Sequence, residues 1–262
     1  MRTVKFVGVF VLIAVICVVL ICLLGSLGLF SLPGAEPAEE SSPFPTLPML
    51  TPSPEPTPEP TEEIPCYASD ELWKLAIASV DYPMSGEYPV STVAVDNTGY
   101  LFDARAADAL EAMLDGARAD GVSLYITSAW RSRATQAQLY ENRVYRFQLE
   151  GYSREEAEII GATVVARPGT SEHELGLSVD LLTQGYQVLD SGFAETAAYD
   201  WLQEHCAEYG FVERYPEDKG DLTGIIWEPW HYRYVGVEVA QYIMENGLCL
   251  EEYLDRVDLL PA

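Results

Sequence analysis

The residues best suited to chemistry in this chain are His173 and Asp180, in Ser171-Glu-His-Glu-Leu-Gly-Leu-Ser-Val-Asp180, and Glu228 and His231, in Glu228-Pro-Trp-His231. The chain has only three histidines, and two fall in these segments. Neutral imidazole and carboxylate suit zinc, and three protein ligands leave a fourth tetrahedral position open for water. Glu228 lies three residues before His231, close enough to take a proton from that water. His173, Asp180 and His231 therefore read as a zinc ligand set with Glu228 as base, the pattern of a metal-dependent hydrolase.

Plainer readings stand beside these. Asp180, between Val179 and Leu181, would cost several kcal/mol if buried without a partner. A bound cation removes that penalty, as does an arginine, while a capping Asp with a surface His is the bland alternative. Gly176 lets a loop fold back and bring His173 and Asp180 to one point. Pro229 excludes a regular helix interior, so Glu228 and His231 do not share a helical face. A bent or bulged strand end can aim both into one cleft; a surface turn is the alternative. Arg131, in Ser128-Ala-Trp-Arg131, falls where a strand gives way to a loop. Its guanidinium can hold negative charge on a substrate carbonyl oxygen or serve a structural ion pair. The third histidine, His205, has Cys206 beside it, but neighbours on a helix point about 100° apart. That pair is structural rather than nucleophilic.

The elements that must position these residues occupy only part of the chain. Phe6 to Ala35 carries no charge, and Phe6–Leu24 is almost wholly apolar. At 1.5 Å per residue this run spans roughly 28 Å, near the hydrocarbon thickness of a bilayer. Arg2 and Lys5 precede it, so residues 1–31 are expected to be a single-pass membrane anchor with the rest of the chain outside. A cleaved signal and lipidation are the alternatives. Residues 32–65 hold eleven of the seventeen prolines, with Ser, Thr and Glu between them. Such a stretch cannot bury a core and favours extended polyproline II, a spacer of up to about 100 Å. The folded domain is then residues 66–262.

The net charge is −26. Arg2, Lys5 and seven glutamates lie in the first 65 residues, which leaves −21 for 66–262. Nucleic acid and anionic lipid surfaces are poor partners for so acidic a domain. Cys66, Cys206 and Cys249 lie outside the anchor. Cys206 with Cys249 is the preferred disulfide of an exported domain, with three unpaired thiols as the alternative.

Within the domain, Asp103 is expected to cap a helix over 104–119, with Leu110, Met113, Leu114 and Ala117 on its apolar face. Residues 122–128 alternate as a strand. A helix follows to about Leu149, and the capping box Ser153-Arg-Glu-Glu156 opens another toward Val165. Leu177, Val179 and Leu181 suggest a strand carrying Asp180, followed by a helix over 194–209. Strands are expected at 211–214, 225–227 and 231–235, and helices at 237–246 and 250–257. Helices segregated from the strands that carry the chemistry describe an α+β domain with a small antiparallel sheet.

Three segments carry a resemblance: Ser128-Ala-Trp-Arg-Ser-x-x-x-Gln136, Ser171 to Asp180, and Glu228-Pro-Trp-His-Tyr-Arg-Tyr-Val-Gly236. They resemble the VanY-type D-alanyl-D-alanine carboxypeptidases, within the wider lysostaphin, D-Ala-D-Ala peptidase and hedgehog-type zinc group. The resemblance spans about Leu72 to Asn246. It implies Zn2+ on His173, Asp180 and His231, Glu228 as base and Arg131 polarising the carbonyl, with Gln136, Ser171 and Trp230 lining the substrate site. The activity it implies is removal of the terminal D-alanine from peptidoglycan stem peptides. An L,D-carboxypeptidase acting on tetrapeptides is the nearest rival, and a non-catalytic wall-binding module is the rival of another class. The expected protein is a monomer on the cell-wall side of the membrane.

Overall fold

The alternation of apolar and polar residues along two central strands sets this fold. The computed structural model describes residues 64–261. Two short strands, β1 (Thr92–Ala94) and β2 (Leu101–Asp103), pair antiparallel. Then come α1 (Ala107–Ala119), β3 (Leu124–Ser128), α2 (Arg133–Leu149), α3 (Arg154–Ala162) and β4 (Ser178–Thr183). They are followed by α4 (Ala197–His205), β5 (Phe211–Glu213), the single turn α5 (Gly220–Thr223), β6 (His231–Tyr234), α6 (Val237–Glu245) and α7 (Leu250–Arg256). The main sheet is antiparallel throughout, in the order β3-β4-β6-β5. This is the α+β architecture anticipated from the sequence.

Side chains alternate across a strand, so each strand divides its residues between two faces. Val179 and Leu181 of β4 and Tyr232 of β6 join Leu110, Met113, Leu114 and Ala117 of α1 in the main core. The other face of the same two strands carries Ser178, Asp180, His231 and Arg233, all buried. A second apolar cluster, built from Val212, Val239, Ile243, Tyr253 and Leu254, packs α6 and α7 onto β5.

Helix starts follow their capping chemistry. Ser132 accepts from the Thr135 N–H at the head of α2, and the Ser153–Glu156 capping box opens α3. Asp103 does not cap α1: its carboxylate takes the Arg105 backbone N–H and guanidinium, so the helix begins only at Ala107. The helix expected over 194–209 is broken into three pieces. Thr196 caps α4 by accepting from the Tyr199 N–H, after a 3-10 turn at Ser191–Glu195. A second 3-10 turn, Cys206–Tyr209, ends at Gly210, where φ is 84° and a Cβ would meet the Gly236 backbone at 2.9 Å. Residues 225–227 form no strand, because the Ile226 N–H bonds the Thr163 carbonyl instead of a sheet neighbour.

The expected Cys206–Cys249 disulfide is absent. Cys206 lies in the main core and Cys249 heads α7, where its N–H bonds Glu252, so the packing separates them; Cys66 is also free. Burial pushes the Cys249 thiol up to about 12, which keeps it unreactive. Among the described residues no helix is long and apolar enough to cross a membrane. The expected anchor at 1–31 and all of the 32–65 spacer except Ile64 and Pro65 lie outside the described residues. Ile64 packs on the second apolar cluster, two residues before the expected domain boundary.

Behind the polar face runs a buried ion network. Arg214 meets Glu251 through two bonds of 2.6 and 2.8 Å and Glu172 at 2.9 Å. Arg233 reaches the same Glu172 oxygen at 2.6 Å and donates to the Lys74 and Ala76 carbonyls. Burial pushes the Glu172 carboxyl up, but the charges of Arg214 and Arg233 outweigh it and hold it below the usual range. Its stabilising contribution is therefore present above the unfolded-state value and lost as pH falls through the folded one. Breaking a buried pair strands its partner's charge, at about 3–5 kcal/mol. Glu172→Gln should lower unfolding free energy by that order at pH 7 in denaturant titrations. The gap between wild type and variant should narrow as pH drops below about 4.

Candidate metal centre

The sheet register brings two of the four chemical residues face to face. Asp180 on β4 pairs directly with His231 on β6, so both point to the polar face on one rung. The next rung on that face, two residues along, pairs Ser178 with Arg233. Ser128, at the end of β3, also sits opposite Asp180, after a register shift that follows Ile126.

His173 arrives from a different element, the 3-10 turn Glu172–Leu175. Gly176 closes that turn at φ 77°, donates to the His173 carbonyl and sends the chain into β4. A Cβ at Gly176 would lie 3.0 Å from Val90. The residue thus combines a left-handed conformation with close packing, which glycine alone accommodates readily. Glu228 is placed by a turn rather than by the bent or bulged strand end expected. The His231 N–H donates to the Glu228 carbonyl across Pro229 and Trp230, with proline at the position that suits such a turn. The Glu228 N–H is held in turn by the Tyr215 carbonyl.

The three ligand side chains converge. One donor atom from each of His173, Asp180 and His231 lies within 4.8 Å of the others, and all three residues are buried. Asp180 Oδ1 is 3.0 Å from His231 Nδ1, and Asp180 Oδ2 is 3.4 Å from His173 Nε2. Glu228 Oε2 stands 3.6 Å from His231 Nδ1. His173 Nδ1 lies 2.7 Å from the Ala129 carbonyl, which can only accept. That bond fixes the tautomer and leaves the Nε2 lone pair for a ligand.

A zinc ion fits this donor set. Asp180 Oδ1 is buried beside His231 Nδ1 with no aligned hydrogen bond among the described residues, a condition rare without a missing partner. Burial, then the Arg131 charge, lowers His173 to about 4, so its ring is neutral at neutral pH as metal ligation needs. Burial raises the Asp180 carboxyl, but His173 and His231 hold it well below the usual range, so it is an anion. Burial, then the Asp180 charge, drives Glu228 well above the usual range, with Arg131 and Arg143 opposing. The two carboxyls are pushed in opposite directions, which suits one to ligation and the other to proton transfer.

Arg131 stands over the cluster. It donates to Asp180 Oδ2 at 3.0 Å and approaches His173 Nε2 at 2.9 Å, while Ser128 and Gln136 hold its other nitrogens at 2.8 and 3.0 Å. Gln136 spans Arg131 and the Ala166 carbonyl. Gln136, Ser171 and Trp230 all line a cleft of about 630 Å³ that opens from the metal cluster. His205 lies outside that cleft, bonded to Glu208 with its ring against Trp201.

Three contributors escaped the sequence reading. The Ala129 carbonyl is a backbone atom without a sequence signature. Tyr215, whose ring centre lies 4.8 Å from that of His231, had no motif to mark it. Arg143 lines the cleft, and its spacing of seven from Gln136 on one helix was the available signal.

The comparisons agree with this geometry. The chain belongs to the VanY D-alanyl-D-alanine carboxypeptidase family, whose model matches residues 100–237 and so takes in every site residue above. A D-alanyl-D-alanine carboxypeptidase of Enterococcus faecalis (strain ATCC 700802 / V583) is 39% identical over 186 residues, covering 71% of this chain and 67% of that protein. A variant of the vancomycin-resistance D,D-pentapeptidase VanY, solved with Zn(II), aligns at TM-score 0.63 and 40% identity over 70% of this chain and 99% of that one. The LD-carboxypeptidase LdcB aligns at TM-score 0.61 and 35% identity over 70% and 86% of the two chains.

The ligand set makes a contrast between histidines testable. His231→Ala should lose stoichiometric zinc after dialysis, whereas His205→Ala should retain one per chain, with both variants folded by circular dichroism. Retention in His231→Ala would remove that residue from the ligand set.

Proposed function

We propose that this chain is a zinc-dependent D,D-carboxypeptidase that removes the terminal D-alanine from peptidoglycan stem peptides. In this reading the 1–31 segment anchors it in the cell membrane and the 32–65 spacer carries the domain into the wall. The observation that carries the proposal is the Glu228 carboxylate, 3.6 Å from His231 Nδ1 at the rim of a three-ligand cluster. The cluster opens into a cleft large enough for a short peptide.

His173, Asp180 and His231 would hold a zinc ion, which would supply a Lewis acid to lower the pKa of water and draw charge from the scissile carbonyl. Glu228 takes the proton of the attacking water and returns it to the nitrogen of the departing D-alanine. Its raised pKa suits a group that must accept that proton and then surrender it. Arg131, held in place by Ser128 and Gln136, directs its guanidinium at charge developing on the carbonyl oxygen.

L,D-carboxypeptidase action on tetrapeptides is the second reading, favoured by the nearly equal likeness to LdcB. Against a silent wall-binding module stands a set in which ligands, base and arginine are all present. Glu228→Ala should keep its zinc yet release D-alanine from a defined pentapeptide about 10²–10⁴-fold more slowly, the scale of a lost general base. Wild-type turnover in that variant would exclude Glu228 from the mechanism. Mass spectrometry of a pentapeptide and a tetrapeptide with the wild-type chain separates the readings. Cleavage of the tetrapeptide alone would transfer the assignment to the L,D class.

A further inference from the structure

Residues 66–262 hold thirteen Lys and Arg side chains in a domain of net charge −21. Nine are ion-paired with carboxylates: Lys74, Arg105, Arg118, Arg131, Arg133, Arg154, Arg214, Lys219 and Arg233. Arg167 and Arg256 donate instead to tyrosine hydroxyls. That leaves Arg143 and Arg146. Among the described residues neither has an ion pair or a side-chain hydrogen bond, although carboxylates outnumber cations in this domain. Both line the cleft that opens from the metal cluster.

Their place on α2 says which half of a substrate they face. Gln136, Arg143 and Arg146 share the cleft-facing side of one helix. Gln136 touches Arg131 and so marks the metal end. At 1.5 Å per residue, Arg143 and Arg146 follow it by about 10 and 15 Å. A carboxypeptidase leaves a single residue beyond the scissile bond, and an extended chain advances only about 3.5 Å per residue. The departing residue cannot reach that far, so the arginines flank the acyl half. Arg143 is half-buried with its guanidinium 6.0 Å from the Phe147 ring centre, and its charge is felt at Glu228. The one other cleft carboxylate near the mouth, Asp190, is occupied by the Gly192 N–H and the Tyr186 hydroxyl.

We infer that Arg143 and Arg146 form an anion subsite for the acyl half of the substrate, selecting peptides with a free carboxylate two to four residues before the scissile bond. The two arginines are specificity-determining and neither touches the reacting atoms. The inference rests on the carboxypeptidase reading for the direction of the substrate, and the test keeps the two apart.

Two pentapeptides ending in D-Ala-D-Ala serve as probes. They differ only in the second residue, a γ-linked D-glutamate with its α-carboxylate free or the same residue as the carboxamide. Binding is read by calorimetry on the zinc-loaded full chain carrying Glu228→Ala, with and without Arg143→Gln and Arg146→Gln. The carboxylate peptide should bind roughly tenfold more tightly than the amide, the scale of a partly exposed charge-assisted pair. The double arginine substitution should abolish that difference and leave amide binding unchanged. With Glu228 intact, Arg146→Gln alone should raise KM for the carboxylate peptide and leave kcat, and turnover of an N-acyl D-Ala-D-Ala dipeptide, unchanged. Equal affinity for the two peptides, or equal weakening of both by the substitutions, overturns the subsite. Failure of the unsubstituted chain to cleave any of these peptides would count against the carboxypeptidase reading, while the binding difference still decides the subsite.

Discussion

The polar face of the β4–β6 strand pair is the constraint from which the rest of this structure follows. Ser178, Asp180, His231 and Arg233 all point to one side of the sheet, opposite Val179, Leu181 and Tyr232, and all are buried. A buried polar row costs free energy unless each group finds a partner. The two rungs meet that demand differently. Arg233 on one rung is closed by Glu172 and three backbone carbonyls. Asp180 and His231 on the other bring Oδ1 and Nδ1 to 3.0 Å beside His173. A slip of one residue between these strands would exchange the polar face for the apolar one, so core packing and ligand geometry fix the same register.

Neighbouring residues tie the rungs together. Glu172 serves the ion network and His173 the metal cluster, so the 3-10 turn that carries them is held from both sides. Arg214 adjoins Tyr215, whose ring lies against His231 and whose carbonyl holds the Glu228 N–H. The network buried behind the cleft therefore sets the positions of His231 and Glu228. Its arginines are always charged, and their partners have no water to fall back on. That makes the arrangement rigid at the point where displacements of an ångström matter to chemistry.

Much of this was legible in the chain because the informative residues are scarce. With three histidines, two of them in segments that also carry Asp180 and Glu228, the grouping of His173, Asp180 and His231 stood out. Helix faces were equally plain, since Leu110, Met113, Leu114 and Ala117 repeat at the period of one buried stripe. Other features depend on partners distant along the chain. Nothing near Arg214 or Arg233 announces Glu172, and the pairing of Arg214 with Glu251 exists only once α7 has docked. Short-range competition misled elsewhere. Thr196 and Gly210 divide what composition alone made one helix, and the Thr163 carbonyl claims the N–H that a strand at 225–227 would have used. Two cysteines in helical segments suggested a disulfide that packing into separate parts of the domain precludes.

Family membership and geometry point to the same chemistry from independent directions: matched sequence on one side, and converging donor atoms with an opposed pair of carboxyls on the other. The most direct test of that account is zinc K-edge X-ray absorption on the purified full-length chain loaded with one equivalent of metal. Two imidazole nitrogens and one or two oxygens at about 2.0–2.2 Å, with the imidazole signal halved in Asp180-intact His173→Ala protein, are what the cluster predicts. Sulfur scattering, or an oxygen-only shell without imidazole, would contradict it.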